Sequence, residues 1–201
     1  MVLKGFAEVS IEKVFQQIFK FLVINTTERK EMRLFDPIVG PEQQHPNFQL
    51  LLRAANCFSF AVLNDWAKGF FDRDGKFVEE FQTTFNSCFW ELYLFAVLKE
   101  YGMPVDFSKA SPDFCVPSLN FNIEATIASN AQGTEPEYAQ QSSTPPPDLN
   151  AFNLRSIIRV SNSLTAKHLK YVESYAKLDH IKDRAYVVAV TNFDQPFSFI
   201  A

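Results

Sequence analysis

The chain has 201 residues, 47% of them hydrophobic and 21% charged, enough to bury a sizeable core and too apolar for a disordered or fibrous protein. Its six glycines, at 5, 40, 69, 75, 102 and 133, permit neither GxGxxG nor GxxxxGK[ST], which excludes the common dinucleotide fingerprint and the P-loop. A net charge of −4, from 19 basic and 23 acidic residues, argues against a protein that grips nucleic acid by bulk charge, although a local basic face is compatible with it.

The amino-terminal MVLKGFAEVSIEKVF carries acids early and has no h-region, so no secretory signal is expected. Ser10 to Ile24 reads as an amphipathic helix, with Ile11, Val14, Phe15, Ile18, Phe21 and Leu22 at three- and four-residue steps. After a polar stretch broken by Pro37, Gly40, Pro41 and Pro46, the pattern predicts a second helix over Asn47–Lys68. Asp72-Arg73-Asp74-Gly75 is a turn signal and closes a helical amino-terminal region at about residue 75.

Residues 76–201 read as a second region. Phe77–Tyr101 is the strongest helix, stopped by Gly102 and Pro104. Short strands are predicted over Val105–Phe107, Asp113–Val116 and Phe121–Ile127. Ser129–Asn150 is a polar loop with four prolines, of the long kind that is usually functional or disordered. A helix from about Arg159 to Lys177 and a buried strand over Ala185–Phe193 complete the order. The fold class is therefore α/β with a mixed central sheet. No uncharged apolar run approaches the roughly 18 residues of a membrane span, so a cytoplasmic protein with no membrane partner is expected. Cys57, Cys88 and Cys115 form no CxxC and are odd in number, which reads as buried thiols rather than a disulfide framework or zinc ribbon.

Charge is placed unevenly. From Pro104 to Asn150 there are six acids and one base; from Ala151 to Arg184 there are seven bases and three acids. A metal site beside a polyanion contact would need this division, and two solvated faces would also produce it. Within the helix, Glu91 is the single charge of CFWELYLFAVL, and a buried carboxylate must be paired, protonated or bound to metal. Asp113 opens one short strand, and Glu124 and Thr126 share one face of the next, FNIEATI. Glu91, Asp113 and Glu124 would then converge from three elements as the hard-oxygen ligands that Mg²⁺ or Mn²⁺ prefers. Taken singly, each has an ordinary alternative: Glu91 pairing with Arg53, Asp113 capping a turn, Glu124 accepting from a backbone amide. Three acids held close should also raise at least one of their pKa values by mutual repulsion.

With Glu91 in FWELYL, Pro112-Asp113, and Glu124-Ala125-Thr126 in this order, residues 77–193 resemble the PD-(D/E)xK nuclease superfamily, the restriction-endonuclease-like fold. They are also similar to bacterial sequences reading FQTTF, WELYLFA, PDF, IEAT, SLxxKxxxY and VVAV in succession. The resemblance implies an αβββαβ core and Mg²⁺-dependent hydrolysis of phosphodiesters in nucleic acid, DNA foremost, with Glu91, Asp113 and Glu124 on the metal. It also admits a nuclease-fold module without catalysis that binds a protein or nucleic-acid partner, and a homodimer or a carboxy-terminal partner module. The chain departs from the family at Thr126, where the motif lysine belongs; Thr126 could orient a water but supplies no charge. Lys167 or Lys170 on the following helix would replace that lysine. Lys167 is favoured because it holds the lysine of SLxxKxxxY, between Leu164 and Tyr171, the expected anchors of the helix on the sheet. GxSxG and HExxH are absent. His168, Trp66 and Trp90 read as packing residues.

Overall fold

Phenylalanine supplies much of the interior, as 22 Phe against 6 Tyr and 2 Trp lead one to expect. In the computed structural model, Phe48, Phe81 and Phe114 are fully buried, in one cluster with Leu34, Leu63, Phe70, Leu92 and Phe95. Ring pairs are tilted or edge-on, as for Phe70 against Phe95 at 5.3 Å and 85°, the arrangement that aromatic quadrupoles favour. The structure describes residues 32–54, 57–131, 133, 134, 136–139 and 146–193. Residues 1–31 and 32–201 group as two units, and every element named below belongs to the second. The helix expected over Ser10–Ile24 and the DQPFSFIA tail beyond residue 193 lie outside the described residues.

Helices α1 (Pro46–Ala54) and α2 (Cys57–Ala67) lie within the span expected over Asn47–Lys68, apart from residues 55 and 56, which are outside the described residues. Helices α3 (Phe77–Thr83) and α4 (Phe85–Glu100) replace the single helix expected over Phe77–Tyr101. The break falls at Thr84, whose backbone leaves the helical region at φ −126° and ψ 46°. Two consecutive threonines account for it. The Thr83 and Thr84 hydroxyls donate to the Glu79 and Glu80 carbonyls, each at 2.9 Å, and such back-bonding bends a helix. The turn before α3 forms as expected: the Asp72 carboxylate accepts from the Gly75 and Phe77 amides at 2.9 and 3.1 Å. At the other end of α4, Gly102 takes φ +64°, the Gly102 amide donates to Lys99 O and the Met103 amide to Leu98 O. That paired closure is the Schellman stop, and the left-handed residue in it is the one glycine fits best.

The sheet has three strands in the order β1 (Phe114–Val116), β2 (Phe121–Ile127), β3 (Ala185–Thr191), the first pair antiparallel and the second parallel. The protein is thus mixed α/β, with five helices and a small mixed sheet among the described residues. Strand β2 matches its expected bounds. The strand expected over Val105–Phe107 does not form. Its one tie to the sheet is the Asp106 amide donating to Cys115 O at 2.8 Å, while the Asp106 carboxylate turns the chain by accepting from the Ser108 amide. Asn120, left-handed at φ 55°, ends the turn between β1 and β2; its side chain donates to Asp183 O and its carbonyl accepts from Ala185 N. Those two bonds start β3 level with β2.

Helix α5 (Leu149–Glu173) has 25 residues and begins ten before the expected start, because Asp148 caps it by accepting from the Ala151 amide at 2.9 Å. The polar loop before it is tied down: Glu137 Oε1 accepts from Asn86 Nδ2 at 2.6 Å and from Asn47 Nδ2 at 3.0 Å. The last strand corrects the expectation of full burial. Among the described residues it pairs on one side only, and Val187 is 46% exposed. Helix α4 packs on the sheet face that carries Ile123 and Ala189, while α5 meets the face that carries Glu124 and Tyr186. Cys88 and Cys115 are buried free thiols, and burial pushes the Cys88 thiol up to about 12. Among the described residues no helix is long and apolar enough to cross a membrane.

Candidate active site

Strand β1 is too short to pair with the whole of β2. Its last partner pair is Phe114 with Ile123, so the backbone of β2 from Glu124 onward has no β1 neighbour. Asp113, one residue before β1, fills the first gap with its side chain: Asp113 Oδ2 accepts from the Ala125 amide at 2.7 Å. Continuing the antiparallel register by one residue sets Asp113 opposite Glu124, which is why two acids meet at this edge.

A cavity of about 280 Å³ opens at that edge, lined among others by Glu91, Asp113, Glu124, Thr126, Lys167 and Lys170. Glu91 comes from α4, Asp113 from the approach to β1, Glu124 and Thr126 from β2, and both lysines from α5. Every residue expected from the sequence to carry chemistry therefore lies on one cavity. Glu124 is 3% exposed, and its Oε1 accepts from Lys167 Nζ at 2.7 Å and from Lys170 Nζ at 3.5 Å. Lys167 is the inner of the two, with a side chain 25% exposed against 50% for Lys170. Lys170 also sits over the Tyr175 ring at 4.7 Å, and its contact with Tyr175, helped by Glu124, raises its pKa.

Crowding of the acids has the expected electrostatic effect. Burial first, then the Asp113 charge, pushes Glu91 up to about 8. Burial first, then Glu124, pushes Asp113 up to about 6, opposed by the Ala125 amide, Lys167 and Arg73. Raised as it is, Glu91 keeps its proton at neutral pH, while Lys167, Lys170 and Arg73 stand beside Glu124 and Asp113. Convergence on a single ion is a different matter. Among the described residues no three His, Cys, Asp or Glu side chains are gathered closely enough to hold a metal ion, and Lys167 stands against Glu124. Mg²⁺ commonly takes only one or two protein carboxylates and completes its shell with water and phosphate oxygens. The donor set here, all carboxylate and partly buried, suits that mode.

Several expectations change at the site. Leu164 is not an anchor of α5 but 38% exposed, and His168 is exposed; Phe152 and Ser156 are the buried positions, and Ser163 Oγ donates to Ile127 O. Lys167 lies one turn beyond Ser163 and three beyond Ser156, so it shares their inward face. Trp90 lines the cavity rather than lying in the core, and its indole N–H donates to Ala189 O at 3.0 Å. Arg73, in the turn before α3, carries no sequence signal for the site. It donates to the Lys109 and Pro112 carbonyls at 2.7 and 3.2 Å and stands 4.0 Å from Asp113 Oδ1, which fixes the approach to β1.

No family model matches the chain, and neither a curated protein nor a solved structure does.

Proposed function

We propose that the protein is a metal-dependent endodeoxyribonuclease with a restriction-endonuclease-like core, hydrolysing phosphodiesters with Mg²⁺ or Mn²⁺. The observation that carries this reading is the Lys167–Glu124 contact of 2.7 Å inside a cavity that Glu91, Asp113 and Thr126 also line. A lysine from the following helix then stands beside the motif acid where the motif itself offers Thr126. The succession α4–β1–β2–α5–β3 agrees with an αβββαβ core less its first strand, whose place is taken by the irregular segment 105–107.

In this reading one or two of the carboxylates of Asp113, Glu124 and Glu91 would hold the cation, with water completing its shell, and the ion would lower the pKa of that water and offset phosphate charge. Lys167 supplies a fixed positive charge to the phosphate as negative charge builds on its oxygens. The Thr126 hydroxyl, on the same strand face as Glu124, orients the attacking water. Water adds to phosphorus and gives up a proton to solvent, the phosphorus–oxygen bond to one sugar breaks, and the departing oxygen takes a proton from solvent water. Lys170, at the mouth, contacts a neighbouring phosphate.

Supercoiled plasmid incubated with purified protein and millimolar Mg²⁺ or Mn²⁺ tests this directly. Nicking that chelator abolishes and Asp113→Ala removes is the expected result. Intact plasmid with both ions, from protein that is folded and still binds DNA or another protein, would leave the nuclease reading without support and favour a binding module.

A further inference from the structure

Asn122 is fully buried, yet neither Nδ2 nor Oδ1 has a protein hydrogen-bond partner among the described residues. The buried Tyr186 hydroxyl has none either. These orphaned atoms are not scattered. Asn122 on β2 pairs in register with Tyr186 on β3, and Asn122 lies two residues before Glu124, on the same face. The Tyr186 ring is packed against Tyr171 at 4.6 Å and Tyr175 at 6.2 Å, which keeps its hydroxyl from swinging out to bulk solvent. The Tyr186 phenol lies close enough to Glu124 to feel its charge, while making no direct hydrogen bond of normal geometry to it.

Native proteins rarely leave such groups unsatisfied, and buried water, with two to four polar partners, is the usual remedy. We propose that Asn122 and Tyr186 hold a buried water molecule against Glu124, an internal hydration site beneath the cavity that fixes the direction of the Glu124 carboxylate. Lys167 binds one oxygen of Glu124 from the cavity side. A donor from the sheet side restrains the carboxylate against rotation, as the partners behind metal-binding carboxylates generally do. The hydration site rests on the orphaned atoms alone; its bearing on cleavage rests on the nuclease reading above.

High-resolution crystal structures of the wild type and of Tyr186→Phe, with nuclear Overhauser effects from water to the Asn122 side-chain amide in solution, are the test. The wild type should show an ordered water touching at least two of Asn122 Nδ2, Asn122 Oδ1 and the Tyr186 hydroxyl. Tyr186→Phe should lose that water and let the Glu124 carboxylate rotate or split between orientations. On plasmid, the same variant should lower kcat about tenfold or more with KM unchanged. A dry wild-type site, or a Glu124 unmoved in Tyr186→Phe, would overturn the proposal. An ordered water in a wild type that cleaves nothing would uphold the hydration site and count against the nuclease reading. Asn122→Leu gives a second arm: loss of the water in it supports the assignment, and a water that persists there contradicts it.

Discussion

Glu91→Gln separates the electrostatic state of the site from its shape, because glutamine keeps the volume and cannot ionise. Glu91 titrates near 8 in the fold against 4.5 in the unfolded chain, chiefly because it is buried and faces Asp113. Between those values the unfolded chain gives up the Glu91 proton while the native protein keeps it. The native state then binds more protons, and stability falls as pH rises. Each unit of displacement is about 1.36 kcal/mol, so the fall is at most about 5 kcal/mol, complete above pH 8 and absent below about 4.5. Asp113, raised to about 6, adds a fall of the same sign below pH 6. That contribution persists in the variant and largely cancels in the comparison. Urea unfolding of both proteins from pH 5 to pH 9 is the assay. The variant should match the wild type near pH 5 and exceed it by several kcal/mol at pH 9, with the gap widening by about 1 kcal/mol per unit. A difference constant within about 0.5 kcal/mol over that range would refute the buried, crowded Glu91 on which the argument depends.

The two lysines should behave differently. Lys167→Ala leaves the nearly buried Glu124 short of its closest cation and should cost about 3 kcal/mol in chemical denaturation, besides abolishing cleavage. Lys170→Ala, half exposed, should cost under about 1 kcal/mol and instead weaken DNA binding and flatten its salt dependence. Asp113→Asn retains an oxygen for the Ala125 amide while removing charge, so its melting temperature without added ion should be at or above wild type. Millimolar Mg²⁺ should raise the wild-type melting temperature and leave Asp113→Asn unmoved; equal shifts in both would place the ion elsewhere.

Strand β2 was fully legible because apolar and polar residues alternate along the whole of FNIEATI, and its acid marks which face meets the cavity. The inward position of Lys167 was legible only in part. The order of the motifs pointed Lys167 toward Thr126, not to its contact with Glu124, and of the two expected anchors Tyr171 packs on Tyr186 of the sheet while Leu164 does not. Helix α5 turns Leu154, Ile157, Leu164 and Leu169 outward and sets Ser156 and Ser163 toward the sheet, so reading hydrophobicity as burial picks the wrong face. Small serines let the helix approach closely enough for a lysine to reach across, a feature of shape that periodicity does not record. The Thr83-Thr84 break failed for a related reason: helix-forming neighbours outweigh two threonines by count, while two back-bonds decide the geometry. Arg73 was illegible because its bonds go to carbonyls about 36 to 39 residues away, and a carbonyl leaves no trace in a sequence.

The length of β1 links the fold to the chemistry. A strand long enough to pair with all of β2 would satisfy the Ala125 amide with backbone and would leave Asp113 no reason to turn toward Glu124. Ending β1 after three residues exposes one donor, and Asp113 both satisfies it and brings a charge within range of Glu124 and Glu91. The same truncation leaves the edge open between α4 and α5, so residues from both faces of the sheet reach it: Glu91 from one side, Lys167 and Lys170 from the other. In the proposed nuclease, a cation bound there would relieve the crowding of the acids and compete with Lys167 for Glu124. Lys167 would then be a counter-charge to Glu124 before the ion binds and a free ammonium afterwards. A lysine fixed on the strand at Thr126 would be tied to its neighbouring acid by the pleat, whereas one delivered on the long arm of α5 can move between the two positions.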